Sequence, residues 1–122
     1  MSAMLSLEQQ QIFELYKHPQ YGGEIEGADL VAEGANESCG DEVRLTLRLE
    51  GETITQIRHH SRACAICTAA ADLLAARLEG KSISCLGELS NDDISSELGI
   101  PLSPVRLKCA LLPLETLRQA VK

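Results

Sequence analysis

The sequence predicts an α+β domain, in which a small antiparallel three-stranded sheet carries helices packed on one face. The clearest evidence is EVRLTLRLE, residues 42–50, where apolar and polar side chains alternate. A period of two is typical of a strand with one buried face. The second observation is that helical patterns lie on both sides of this region, one before it and several after it. Helices segregated to one face of an antiparallel sheet are the α+β arrangement.

The first helix and the two outer strands are predicted from shorter patterns on either side of the central strand. Residues 6–17, SLEQQQIFELYK, predict a first helix that ends at His18, before Pro19. Residues 28–35 predict an edge strand. The turn after Glu50 returns the chain as TITQIRHH, residues 53–60, which is expected to pair with the central strand as a hairpin.

The second half of the chain predicts helices. Apolar residues at steps of three and four predict a helix over residues 64–79, which Gly80 ends. Two shorter helices are expected over residues 82–89 and 92–98, the second capped by Asn91.

The last predicted helix begins at Ser103-Pro104, with serine as the N-cap and proline in the first position. Pro113 lies inside this helix. Proline offers no N–H to the carbonyl four residues earlier, here that of Cys109, and its ring clashes with that carbonyl. We therefore expect the helix to be kinked or broken one turn past Cys109.

Composition limits the function classes. The 122 residues are expected to form a single domain, 1–122, with a largely aliphatic core, because the chain has only one Phe, two Tyr and no Trp. A net charge of −7 and the lack of aromatic stacking platforms argue against nucleic acid as a partner. No apolar run is long enough for a membrane span. The start of the sequence lacks a signal-peptide pattern, so we expect a cytoplasmic protein.

In the cytoplasm disulfides are uncommon, so five cysteines indicate metal or thiol chemistry. Cys39 lies in the loop ESCGDE, two residues before Asp41, whose carboxylate is a possible ligand or base. Cys64 lies where a strand gives way to a helix, whose N-terminal dipole favours the thiolate. Cys109 lies early in the last helix beside Lys108, whose charge also favours a thiolate.

Three motifs in order, SCGD, ACAIC and SPVRLKCALL, resemble the U-type (IscU/SufU/NifU) family of iron–sulfur cluster assembly scaffolds. The resemblance covers residues 12–120 and implies the SufE/IscU-like fold. It implies that Cys39, Cys64 and Cys109 bind a [2Fe-2S] cluster with Asp41 as a further ligand. Zn²⁺ is the alternative occupant of the same site.

The resemblance also implies a function. A member of this family accepts persulfide sulfur at the position of Cys109 from a cysteine desulfurase, builds the cluster and transfers it to recipient apo-proteins. An iron or electron donor protein and an Hsp70-type chaperone are further implied partners. The resemblance implies that Asp41 and Lys108 also take part in the chemistry of sulfur transfer and cluster assembly at this site. Lys108 is typical of the SufU type, whereas the short step from Cys64 to Cys109 is typical of the IscU type.

Three alternatives remain open from the residues. One is a SufU-like zinc-dependent sulfurtransferase, and another is a thiol-disulfide oxidoreductase that uses Cys64-x-x-Cys67. The third is a structural zinc domain. Cys67 itself is either a small core residue or a spare thiol, which would replace Asp41 as a ligand, relay a persulfide or form a disulfide with Cys64.

The remaining candidates are the two histidines of the third strand and Cys85. His59 and His60 are neighbours on a strand, so their side chains are expected on opposite faces. One of them, with His60 preferred, is a possible additional ligand near Cys64. Cys85 is expected to fill space in a short helix.

Overall fold

The computed structural model describes residues 7–37 and 40–121 of the chain. The elements follow one another as α1 (Leu7–Lys17), β1 (Leu30–Asn36), β2 (Asp41–Glu50), β3 (Thr53–Arg62), α2 (Ala65–Leu78), a 3₁₀ helix (Ile83–Glu88), α3 (Asn91–Leu98) and α4 (Pro104–Val121). The α+β class is confirmed.

The sheet has the order β1-β2-β3, and both pairs are antiparallel. Leu45 in the central strand lies opposite Ala32 on one side and His59 on the other. The alternation in β2 buries Val43, Leu45 and Leu47 on one face. This face carries the helices, as the sequence pattern predicts.

Two helices, α2 and α4, cover that face and pack against each other. Much of α2 is buried, because the residues along it are mostly apolar: Ile66, Cys67, Ala69, Ala70, Ala71, Leu74, Ala75 and Leu78. Strand β1 approaches α4 very closely at Gly34. A Cβ built at Gly34 would lie 2.0 Å from Oγ1 of Thr116, so only glycine fits between this strand and this helix.

The segment between α1 and β1 crosses the outer face of the sheet. It first pairs with β3, where the His59 N–H donates to the Tyr21 carbonyl and the Gly23 N–H donates to the His59 carbonyl. It then passes over β2, where the Ile25 N–H donates to Oγ1 of Thr46. Both Ile25 and Thr46 are buried as a result, so part of the outer face is also shielded from water.

Of the two outcomes predicted at Pro113, a kink or a break, the break is wrong, because α4 continues as one helix from Pro104 to Val121. Pro113 is buried, and Leu114 and Leu117 beyond it are fully buried. Burial of the apolar face on both sides of the proline stabilises the helix against the loss of one backbone hydrogen bond. The start at Ser103 is confirmed, since its Oγ accepts the Arg106 N–H at 3.3 Å.

The predicted cap of α3 is wrong by one residue. Ser90, not Asn91, is the N-cap: its hydroxyl accepts the Asp93 N–H, and the Asp93 carboxylate accepts the Ser90 N–H. This reciprocal capping box places Asn91 in the first turn. Gly99, in the left-handed region at φ 71°, ends the helix. No helix in the described part of the chain is long and apolar enough to span a membrane.

Candidate metal centre

Three predicted ligands meet at one end of the sheet. One carboxylate oxygen of Asp41 and the Sγ atoms of Cys64 and Cys109 all lie within 4.8 Å of one another. They come from the start of β2, the N-cap of α2 and the second turn of α4. Cys39, the fourth residue predicted for this site, lies outside the described residues, two positions before Asp41.

Asp41 is held by the backbone of α2. Its Oδ1 accepts the Cys64 N–H at 3.1 Å, and the side chain is only 2% exposed. The other oxygen, Oδ2, is buried and has no hydrogen-bond partner among the described residues. A buried carboxylate oxygen without a donor is costly unless another group satisfies it. Beside two thiols, such an oxygen suits a metal that accepts mixed sulfur and oxygen ligands, as zinc does.

The two cysteines of the group differ in exposure. Cys64 is exposed, with an extended N-cap backbone, and its side chain makes no capping hydrogen bond. Cys109 is 4% exposed and lies on the buried face of α4. The group therefore has one thiol directed to solvent and two donors, Asp41 and Cys109, inside the protein.

Lys108 lies next to this group on the exposed side of α4. It lines a cleft of about 450 Å³ together with Glu37, Leu112 and Glu115, and with Ala35 and Asn36 at the end of β1. The cleft thus lies between the end of β1 and the exposed side of α4 at Lys108, the residue before Cys109. Lys108 and Glu115 place charges of opposite sign along it.

Cys67 lies beside the group and is not one of its three members. It is fully buried in the core, one helical turn from Cys64. Burial, followed by the charges of Asp41 and Cys64, raises the pKa of the Cys67 thiol. Without a metal the thiol is therefore neutral, which disfavours a Cys64-Cys67 redox pair that needs two accessible, readily ionised thiols. Cys85, as expected, is partly buried in the 3₁₀ helix.

The two histidines lie on opposite faces of the sheet, as the strand period requires. His60 is exposed and lines an outer cleft of about 370 Å³ with Glu33, Arg44 and Arg62. It is not part of the Asp41, Cys64 and Cys109 group. Because Cys64 lies on the helix-covered side, the alternation along β3 directs His60 away from it.

His59 faces the helices and binds a second buried side chain. Its Nε2 lies 2.8 Å from Oδ1 of Asp72 in α2, and both side chains are 2% exposed. Asp72 also accepts the backbone N–H groups of Gln20 and Tyr21 at 3.1 and 2.8 Å. Burial acts to raise the pKa of Asp72, but the His59 hydrogen bond and these two N–H groups together lower it.

Sequence reasoning did not identify this pair. The sequence did indicate that His59 is buried, because it lies two residues after the core residue Ile57 and so on the same face of β3. Asp72 is likewise an acidic residue in the middle of a mostly apolar helix. Buried charges usually have partners, so these two positions could have been paired.

Comparison with known proteins supports the motif resemblance. The family described as NifU-like N terminal domain matches residues 7–122. The chain is 38% identical over 110 residues to the bifunctional protein NifU/MnmA of Rubrobacter xylanophilus. That match covers 89% of this chain and only 22% of the relative, so the chain spans about a fifth of the bifunctional protein's length.

Two shorter relatives align over most of their length. The iron–sulfur cluster assembly scaffold protein IscU of Aquifex aeolicus is 30% identical over 115 residues, covering 93% of this chain and 73% of the relative. The zinc-dependent sulfurtransferase SufU of Bacillus subtilis is 27% identical over 133 residues, covering 95% of this chain and 90% of the relative.

The fold is also that of a solved structure. The crystal structure of a proposed iron–sulfur cluster assembly scaffold for the SUF system, from Fervidobacterium islandicum AW-1, matches with a TM-score of 0.82. The two are 28% identical, and the match covers 93% of this chain and 95% of that one. Sequence, cysteine motifs and fold agree, and the chain belongs to the family of NifU-like N-terminal domains.

Proposed function

We propose that this chain is a scaffold on which an iron–sulfur cluster is assembled and from which it is passed to recipient apo-proteins. The observation that carries the proposal is the meeting of one carboxylate and two thiols within 4.8 Å, with Oδ2 of Asp41 unsatisfied among the described residues. Cys39, close by in sequence, would supply the third thiolate. The relatives named as scaffolds support the same reading.

The cluster is the cargo of such a protein. Cys39, Cys64 and Cys109 would hold a [2Fe-2S] cluster, with Asp41 as the fourth ligand. Three thiolates and one carboxylate bind a cluster less tightly than the four cysteine thiolates that hold a permanent cluster. A site intended to release its cargo benefits from one weaker ligand, and the exposure of Cys64 leaves the cargo open on one side.

Sulfur would enter at Cys109. The Cys109 thiolate attacks the terminal sulfur of a persulfide on a cysteine desulfurase, the S–S bond of the donor breaks, and the donor cysteine leaves as its thiolate. Cys109 then carries the persulfide. Because this thiol is 4% exposed, we infer that the donor approaches along the cleft lined by Lys108, the sequence neighbour of Cys109, and by Leu112. The Lys108 ammonium at this cleft attracts the anionic persulfide as it arrives.

Anaerobic reconstitution with ferrous iron and sulfide tests the scaffold role. We expect the wild type to develop the visible absorption of a [2Fe-2S] cluster. Replacement of Cys39, Cys64 or Cys109 by alanine should weaken it. Cys85→Ala is the matched control, since this thiol lies in the distant 3₁₀ helix, and it should retain the absorption. A wild type that binds no iron under these conditions contradicts the proposal.

A zinc-dependent sulfurtransferase is the second candidate. Zinc accepts two thiolates and a carboxylate oxygen as ligands in tetrahedral sites. The Bacillus subtilis relative is named a zinc-dependent sulfurtransferase. In this case Asp41, Cys64 and Cys109 would hold a resident zinc ion, which would keep the thiolates ionised, and Cys109 would only pass sulfur onward. If the zinc-loaded chain stimulates desulfurase turnover but retains no cluster after reconstitution, then the sulfurtransferase role is favoured over the scaffold role.

A further inference from the structure

Cys67 and Asp41 converge on the same backbone group. Cys64 is the N-cap of α2 and Cys67 is the third residue of the helix. In a capping box the side chain of the third residue reaches back to the N–H of the cap. Here the Cys64 N–H is bound by Oδ1 of Asp41 at 3.1 Å. The thiol at the third position therefore lies on the side of the helix start where the Asp41 carboxylate also lies.

Burial shows that the Cys67 side chain is directed into the protein and not to solvent. Its side chain is 0% exposed, on the same helix turn as the exposed Cys64. The charges of Asp41 and Cys64 both act on its thiol. Among the described cysteines outside the three-residue group, Cys67 is thus the one within electrostatic reach of two ligands, whereas Cys85 lies in the 3₁₀ helix.

We propose that Cys67 is a reserve ligand that takes the place of Asp41 on the bound metal. This inference rests on the proposed function, because it requires a metal centre at Asp41, Cys64 and Cys109. Carboxylate oxygen is a hard ligand, whereas iron in iron–sulfur clusters prefers thiolate. A second thiol beside the carboxylate gives the site a labile state with oxygen and a retentive state with sulfur.

The exchange is balanced without any oxidant. The bond from the metal to the Asp41 oxygen breaks, a bond from the metal to the Cys67 sulfur forms, and the thiol proton passes to water. Asp41 leaves as a carboxylate and keeps the Cys64 N–H as its donor. Cysteine has a single side-chain torsion with three staggered positions, so the movement that the exchange requires of Cys67 is a change of that torsion.

The test uses zinc and cobalt(II) as probes under anaerobic conditions, with three variants: Asp41→Ala, Asp41→Ala/Cys67→Ser and Asp41→Ala/Cys85→Ser. Zinc affinity is measured by competition with a chromophoric chelator, and the thiolate-to-cobalt absorption reports how many sulfurs bind. We expect Asp41→Ala to gain thiolate-to-cobalt intensity relative to the wild type. Adding Cys67→Ser should abolish this gain and weaken zinc binding by at least roughly tenfold, whereas adding Cys85→Ser should do neither.

Equal zinc affinity and equal cobalt absorption for Asp41→Ala with and without Cys67→Ser would overturn the proposal and leave Cys67 as a core residue. Circular dichroism identifies a variant that fails to fold, and Cys67→Ala then replaces Cys67→Ser in the same comparison. Failure of the proposed function has a different signature. A wild type that binds no iron on anaerobic reconstitution contradicts the proposed function, whereas a wild type that binds zinc and cobalt(II) without any dependence on Cys67 overturns only this inference.

Discussion

Nε2 of His59 lies 2.8 Å from Oδ1 of Asp72, and neither side chain is more than 2% exposed. The same carboxylate accepts the N–H groups of Gln20 and Tyr21. One buried group therefore joins strand β3, helix α2 and the segment that follows α1. Because β3 and α2 both lead to Cys64, this junction fixes the angle at which the strand and the helix meet at the metal centre.

The effects of removing His59 and Asp72 should not be additive, because loss of either partner leaves the other buried and uncompensated. We expect Asp72→Ala to lower the free energy of unfolding by about 3–5 kcal/mol, because it leaves His59 buried without its partner and removes the acceptor of two part-buried backbone N–H groups. His59→Phe/Asp72→Ala should cost less than the sum of the two single substitutions. Urea unfolding of the four proteins measures the coupling, and additive losses would show that the pair is not energetically coupled.

The pair also predicts a loss of stability in acid. The hydrogen bonds from His59 and the two backbone N–H groups outweigh burial and hold the pKa of Asp72 below its ordinary value. A carboxyl with a lowered pKa in the folded state stabilises the fold above its unfolded pKa of roughly 4, and this contribution is lost as the pH falls through the folded pKa.

The pH dependence of unfolding therefore distinguishes the wild type from Asp72→Asn. Between about pH 6 and pH 2.5, we expect the wild type to lose stability more steeply below roughly pH 4, so that the two proteins approach each other in acid. Urea titrations at a series of pH values provide the measurement. Parallel curves for the two proteins would contradict the assigned role of the Asp72 carboxylate.

Gly34 should tolerate no side chain. A Cβ there would lie 2.0 Å from Oγ1 and 3.0 Å from Cβ of Thr116, so Gly34→Ala forces β1 and α4 apart. We expect a loss of roughly 1–3 kcal/mol in thermal or urea unfolding, as for other overpacked sites. Thr116→Ala in the same chain should restore part of it, since the closest atom is removed.

Gly87→Ala is the control for this substitution, because a Cβ at Gly87 meets no atom within 4 Å among the described residues. It should leave stability nearly unchanged. If Gly34→Ala were as well tolerated as Gly87→Ala, then the close approach of β1 to α4 would not be a constraint on the fold.

Metal binding should stabilise the chain through the residues of the centre. A ligand that binds only the folded state adds about 2.7 kcal/mol at one hundred times its dissociation constant. We expect zinc to raise the melting temperature of the wild type and of Cys85→Ser. Cys64→Ser and Cys109→Ser should show a smaller rise, and a chelator should reverse it. Differential scanning fluorimetry measures all four, and an equal rise in all of them would place the metal elsewhere.

Local patterns predicted most of the elements. The alternation in β2, the turn after Glu50, the helical period of α2 and the Ser103-Pro104 start of α4 all depend on neighbours in sequence, and each prediction was met. Of the two errors, the cap of α3 is itself local, since Ser90 and Asp93 form a capping box, whereas the one at Pro113 concerns a choice between local and distant effects. Pro113 disfavours a helix locally, but the burial of Leu114 and Leu117 beyond it keeps α4 continuous.

The approach of Asp41, Cys64 and Cys109 was expected only through the motif resemblance, since no local pattern relates residues on three separate elements. In the structure one ligand atom from each of the three residues lies within 4.8 Å of the others, and the Asp41 carboxylate accepts the Cys64 N–H. The Cys64 thiol is exposed, whereas the Cys109 thiol is buried. The role of Cys67 was undecided for the same reason, because its burial depends on how α2 packs against the sheet.

The sequence by itself determined the α+β class, the order of strands and helices, and the family, because these depend on periodicity, turn residues and short motifs that are read along the chain. Only the tertiary structure decided which histidine is buried, that Asp72 is its partner, and that Gly34 must lack a side chain beside Thr116. These features depend on contacts between residues far apart in sequence, and such contacts are set by how the helices pack on the sheet.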